Sequence, residues 1–206
     1  MEPYRPGSAP GTPTSHNAAT VFPNPSSIYG STKLAQEHVL GSWCDAYGVP
    51  LSVLRFQNVY GRGQSPTNPY TGIINIFHRI AARGEAINAY EDGRIGRDFV
   101  YIDVVVDACI AALFRSGAAP LVCDVGFGQV TTILKAAQVI ARIHGAPEPV
   151  ISGQFRDGDI RWSVADIEAM KNVLRVNPRV GFEDGVRIVG SWLDETGHLF
   201  PVSLRN

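Results

Sequence analysis

The chain has 206 residues, 45% of them hydrophobic and 18% charged, which is one ordinary domain or a large piece of something bigger, and too apolar for disorder over most of its length. Lys and Arg number 18 against 19 Asp and Glu, for a net charge of −1, which counts against a generic nucleic-acid binder and leaves only local basic pockets. Cys44, Cys109 and Cys123 are widely spaced and form no Cys-x-x-Cys, and the histidines lack ligand spacing, so no disulfide framework and no metal site is expected and a reducing, cytoplasmic setting fits.

Residues 1–25 hold Pro3, Pro6, Pro10, Pro13, Pro23 and Pro25 with few large apolar residues, and read as a loop. Pro25-Ser26-Ser27 can start a helix whose apolar spacing runs through Leu34, Val39, Leu40, Trp43 and Tyr47, with Gly48 and Pro50 as the stop. Leu51–Phe56 reads as a short buried strand, and 61–71 as a loop. Ile73, Ile74, Ile76, Phe77 and Ile80 space as a helix ending near Gly84. Ala86–Tyr90 and Asp98–Ile102 are strand candidates around a turn at Glu91-Asp92-Gly93, and Asp103 can cap a helix reaching Phe114. Leu121–Val125 reads as a strand. Thr131 or Thr132 caps a helix through Ile143 that Gly145 ends, and Pro149–Ile151 is extended. Two more helices fit Asp166–Leu174 and Glu183–Glu195. This alternation predicts an α/β protein with a parallel sheet. No apolar run approaches the ~20 residues of a membrane span, and Met1-Glu2-Pro3 does not open like a signal peptide.

The most informative motif is Tyr29-Gly-Ser-Thr-Lys33. Positions i and i+4 of a helix share a face. A free tyrosine keeps its proton at neutral pH, and an ammonium one turn away, with a nicotinamide cation beside it, favours the phenolate. Such a pair can serve as a general acid/base beside a hydride acceptor. With 7 tyrosines and 3 lysines, the spacing arises by chance roughly one time in ten, so a solvated Tyr and Lys is the plain alternative. Three further blocks follow. Arg55-Phe56-Gln57-Asn58-Val59-Tyr60-Gly61 ends a strand, where ligands of parallel sheets sit. Asn58 could bind a phosphate or simply cap a turn. Arg97-Asp98-Phe99 offers a guanidinium fork for phosphate, or a surface ion pair of Arg97 with Asp98 or Asp103. Arg156 and Asp159 stand three apart in a Gly-containing loop.

In this order, the four blocks resemble the extended short-chain dehydrogenase/reductase family, the NAD-dependent nucleotide-sugar epimerases and dehydratases, over about residues 20–197. Gln57–Gly61, Asn68–Ile73 and Gly153–Arg161 are similar to the dTDP-L-rhamnose 4-epimerases and their close relatives within it. The resemblance implies Tyr29 as the catalytic acid/base, with Lys33 lowering its pKa and holding the nicotinamide ribose. Phe56 would lie beside the nicotinamide end of NAD. Asn58 and Arg97 would bind the nucleotide diphosphate, with Arg156 on the same phosphates and Asp159 on the nucleoside sugar. Residues 68–76 would help line the pocket. The substrate would be a dTDP- or UDP-linked sugar inverted at C4 through a 4-keto intermediate. The partner would be a second copy, in a homodimer built on a helix pair for which the Tyr29 helix and the Ile73–Ile80 helix are candidates.

The implied fold class is the C-terminal part of a Rossmann-type parallel sheet plus a smaller α/β substrate-binding region. Residues 1–25 would be a Pro-rich loop and 26–60 the remaining Rossmann helix and strand. Residues 61–206 would be mostly substrate-binding region, with a Rossmann-type strand and helix returning around 98–125. None of the 21 glycines falls in a Gly-x-x-Gly-x-x-Gly or Gly-x-Gly-x-x-Gly array, which the family uses to let its first turn approach a pyrophosphate. Arg62 also stands where relatives usually carry Pro, and Val104 where a second acidic residue is common. The expectation is therefore an epimerase lacking its Gly-rich half and inactive as it stands. The alternatives are a 4,6-dehydratase or reductase of the same fold, or a catalytically dead nucleotide-sugar-binding remnant.

Overall fold

The structure is a computed structural model that describes residues 17–18, 22–25, 27–65, 72–117, 119–154 and 160–199. Most of the Pro-rich stretch, part of 61–71, and the expected site residues Arg156 and Asp159 lie outside the described residues.

The first helix, α1, spans Ile28–Tyr47. Ser27 caps it, its side chain accepting from the Gly30 N–H, and Gly48 ends it at φ 65°, a left-handed conformation that glycine adopts without steric cost. Strands β1 (Ser52–Phe56) and β2 (Asn58–Tyr60) follow, then α2 (Ile73–Ala82), β3 (Asn88–Ala89), β4 (Gly96–Arg97) and β5 (Phe99–Tyr101). The chain continues through α3 (Ile102–Leu113), β6 (Leu121–Val125), β7 (Thr131–Thr132) and α4 (Ile133–His144). It closes with β8 (Val150–Ile151), β9 (Trp162–Ser163), α5 (Glu168–Asn172) and α6 (Phe182–Glu195).

The pairings are mostly parallel, as the alternation of strands and helices requires. Strand β1 lies parallel to β6, from Ser52 opposite Leu121 to Phe56 opposite Val125. Strand β2 pairs with β5, and β3 with β8. Strand β4 sits between β9, parallel to it, and β7, antiparallel. One buried cluster gathers apolar residues of α2, α4 and α6 with Tyr60, Phe99 and Tyr101. A second gathers Val100, Val104, Val105 and Ala108 with β6 and Met170. Helices α2, α4 and α6 meet at His78. This residue is fully buried, its Nδ1 is 2.9 Å from His144 Nε2, and its ring faces Gly190 of α6.

Several expectations are corrected. The N-cap of α3 is Tyr101, with Asp103 in the first turn, because β5 runs into the helix with no intervening loop residue to cap it. The strand expected over Asp98–Ile102 begins at Phe99, since Asp98 turns its side chain aside to cap a loop described below. Of Ala86–Tyr90 only two residues pair, matching the two of β8. Strand β1 is half-exposed rather than buried, having a partner on one edge only among the described residues. On α1 only Cys44 is buried, while Val39, Leu40, Trp43 and Tyr47 are exposed. Separately, helix α2 packs Ile74, Phe77 and Ala81 into the first cluster.

Beyond α5, Arg175 takes φ 59°, a left-handed conformation costing an L-residue about 1–2 kcal/mol. Its side chain is exposed. Arg175→Gly is therefore expected to raise the melting temperature by roughly 2–4 °C, read by circular dichroism.

Candidate active site

Three elements carry the residues expected to act. The Ser27 cap starts α1 just before Tyr29, so Tyr29 and Lys33 occupy its first two turns. The Lys33 Nζ stands 5.6 Å from the centre of the Tyr29 ring and donates to Gln36 Oε1 at 3.4 Å. Tyr29 is 72% exposed, leaving the phenol open to a ligand. The i, i+4 pair of the sequence is thus a spatial pair on an accessible helix face.

At the carboxyl end of β1, Phe56 is exposed. Gln57 N–H donates to the Val125 carbonyl at 2.9 Å, and the Gln57 side chain accepts from Ser163 Oγ at 2.7 Å. Asn58 opens β2 with its side chain exposed and its N–H on the Asp98 carbonyl at 2.9 Å, which places it beside β4 and Arg97. Arg97 is half-buried, and its Nη1 donates to the carbonyls of Gly96 (2.9 Å) and Arg161 (3.4 Å). Phe56 thus ends β1 at its carboxyl edge, where parallel sheets hold ligands, while Asn58 and Arg97 lie on neighbouring strands joined at the Asp98 carbonyl.

Asp98 plays a part that the sequence did not reveal. It is fully buried, and its carboxylate accepts from the N–H groups of Phe127 (2.7 Å), Gly128 (2.9 Å) and Ala165 (3.2 Å). Burial pushes its carboxyl upward, against those three hydrogen bonds. It ties the loop after β6 to the end of β9 and fixes the backbone on which Arg97 and Asn58 sit. Arg161 forms a buried ion pair with Glu91 at 3.2 Å and another with Asp92, which hold the turn after β3.

A second cluster sits beneath the helix. Arg55 of β1 holds Glu37 of α1 with both arms of its guanidinium, at 2.9 and 2.7 Å. Opposite it on β6, Asp124 is buried and accepts the Ala18 N–H at 2.7 Å. Burial lifts the Asp124 carboxyl to about 6. The signal for Glu37 was the continuation of the Tyr29, Lys33 spacing by one more turn. Elsewhere a cavity of about 470 Å³ lies between α3 and residues 174–179, and no expected site residue lines it.

Residues 3–126 match the model of the NAD dependent epimerase/dehydratase family. Among curated proteins, the dTDP-L-rhamnose 4-epimerase of Burkholderia thailandensis is 49% identical over 171 residues, covering 83% of this chain and 47% of that protein. Among solved structures, the UDP-glucose 4-epimerase of Thermotoga maritima, with UDP-glucose, superposes with a TM-score of 0.81 at 32% identity, over 92% of this chain and 59% of that one. The UDP-glucose 4-epimerase of Thermus thermophilus, complexed with NAD, gives 0.73 at 30% identity, over 86% and 55%. The chain spans about half the length of the curated relatives it matches.

Proposed function

The chain belongs to the NAD dependent epimerase/dehydratase family, and on that premise we propose that it is the acid/base and substrate-binding part of a nucleotide-sugar 4-epimerase. The observation that carries this reading is the Tyr29–Lys33 pair, 5.6 Å from ammonium to ring on the open face of α1. The 49% identity to a dTDP-L-rhamnose 4-epimerase favours a dTDP-linked 6-deoxy sugar. On this reading, residues 26–60 and about 98–125 supply the Rossmann-type part, and the rest of 61–206 the substrate-binding region.

The residues present fit the nicotinamide end of NAD. An accessible phenol and ammonium share one helix face, and Phe56 is open at the strand end. The 206 residues hold no Gly-rich turn for the pyrophosphate, so that part of the cofactor needs groups from outside this sequence. When bound, NAD supplies a reversible hydride acceptor. The chain's own residues handle the proton. Tyr29 Oη takes the proton of the sugar C4 hydroxyl and later returns it, while the Lys33 ammonium steadies the phenolate. Asn58 and Arg97 hold the diphosphate, and the sugar turns while its phosphates stay anchored. Arg156 and Asp159 are proposed for the same phosphates and the nucleoside sugar. A homodimer through the exposed apolar face of α1 belongs to the same reading. So does a cytoplasmic location, with Cys44, Cys109 and Cys123 free and no described helix long and apolar enough to cross a membrane.

Tyr29→Phe is expected to lower C4 inversion of a dTDP-sugar by at least ~100-fold, the low end of a general acid/base contribution, without changing the far-ultraviolet circular dichroism. The assay follows the sugar by NMR with NAD present in an active preparation. Undiminished inversion by the variant defeats the acid/base assignment, and a 4-keto-6-deoxy product identifies a dehydratase instead.

A further inference from the structure

We propose that Arg55 and Glu37 are positioning residues for Tyr29 and Lys33, their ion pair setting how α1 lies on the sheet. The proposal rests on the acid/base reading of Tyr29 and extends it. It starts from how little else holds the helix. Over 20 residues α1 buries a single side chain, Cys44, near its far end. The catalytic pair stands at the other end, where Ile28 and Tyr29 are exposed. Apolar packing at that end is limited to the partly buried Leu34.

Glu37 follows Lys33 by four residues and Tyr29 by eight, so all three share a face. Arg55 comes from β1 and grips Glu37 through Nε on Oε1 and Nη2 on Oε2. A two-pronged contact between a planar guanidinium and a carboxylate fixes orientation as well as distance. Both side chains are about a quarter exposed, so solvent screens the pair less than an exposed one.

The arginine is itself held. Its Nη1 lies 3.4 Å from the Ala18 carbonyl, and the Ala18 N–H donates to Asp124, its cross-strand neighbour. Asn17 donates to Asp166 at 3.0 Å, extending the same strap. The Glu37 hydrogen bond first, and then the charges of Glu37 and Asp124, hold the Arg55 proton against the cost of burial. Arg55 is thus braced by the sheet on one side and presents its fork to the helix on the other. A rotation of α1 about its axis that breaks the fork also moves Tyr29 and Lys33, which the same helix carries.

The test uses the 206-residue protein and needs no turnover. Arg55→Met is expected to speed amide hydrogen exchange at least 10-fold over residues 28–37 while leaving 133–144 unchanged. Arg55→Lys, a point charge without a fork, should recover only part of the protection. The charge-exchanged pair Arg55→Glu with Glu37→Arg should recover most of it. With 3-fluorotyrosine incorporated, the Tyr29 resonance, assigned by its loss in Tyr29→Phe, should shift or broaden in Arg55→Met while those of Tyr60 and Tyr101 hold. Unchanged exchange over 28–37, or acceleration spread equally over 28–37 and 133–144, overturns the proposal. A loosened helix alongside full inversion activity in Tyr29→Phe instead removes the acid/base reading and leaves the tether standing.

Discussion

Between about pH 7 and pH 4, the stability gap between the protein and its His78→Gln variant is expected to narrow by roughly 3 kcal/mol. Burial, and then the nearby His144 ring, lower the His78 pKa from 6.5 to about 3, with the Val186 backbone opposing them. The folded protein therefore keeps His78 neutral while the unfolded chain takes up a proton. The stability that follows is complete above pH 6.5 and drains away as pH falls toward 3. Glutamine keeps a hydrogen-bonding group against His144 but has nothing to titrate.

The other groups around this contact stay the same in both proteins. His144 is lowered by burial and raised by Asp194, and it remains in the variant. Asp124, lifted by burial from 3.8 to about 6, works in the opposite direction, because its contribution is present below pH 3.8 and is lost as pH rises through 6. Its effect is common to both proteins and cancels in the comparison. Urea midpoints across the pH range read the difference directly, and parallel profiles for the two proteins would contradict the assignment.

Gly185→Ala is expected to cost about 3 kcal/mol or more, the upper end for overpacking a core. The Tyr60 hydroxyl sits in a notch on α6, where it donates to the Phe182 carbonyl at 3.4 Å. A Cβ at residue 185 would overlap that hydroxyl. The ring has nowhere to retreat, since it is 2% exposed and hemmed in by Phe99, Tyr101 and Phe182. The second variant Tyr60→Phe checks the cause. Removing the hydroxyl should relieve much of the Gly185→Ala penalty, so the two effects combine to less than their sum. Thermal unfolding of the four proteins measures it.

Much of the fold was legible because local signals and tertiary packing agree. Strand β6 spans Leu121–Val125 as its apolar run indicated, and α4 lies between the Thr132 cap and Gly145. The 3.6-residue spacing of Ile73 to Ile80 found α2 because its apolar face is the one buried. Two-residue strands such as β4, β7 and β9 carry no periodicity and exist through their partners, so no window of sequence could show them.

The site divides along the same line. That Tyr29 and Lys33 lie side by side was legible from spacing within one helix, whereas the roles of Asn58 and Arg97 are proposals. The sequence offers Asp98, like Asp103, only as an alternative surface partner for Arg97, yet Asp98 is buried under three N–H groups from segments about 30 and 67 residues away. Arg55 and Glu37 lie 18 residues apart on different elements, so only the folded chain pairs them. Arg156 and Asp159 remain expectations from resemblance alone.

The parallel pairing of β1 with β6 has a consequence for biosynthesis. Phe56 ends β1 and Leu121 begins β6, so about 65 residues of chain must follow before the strand has that neighbour. At roughly 5–20 residues per second, the ribosome needs about 3–13 s to deliver it. Once α1 has left the ribosomal tunnel, Val39, Leu40, Trp43 and Tyr47 face water, and even completion of β6 leaves those four side chains exposed. A nascent chain of this design therefore carries an apolar helix face while its sheet is still incomplete, and slower translation between codons 57 and 120 lengthens that exposure.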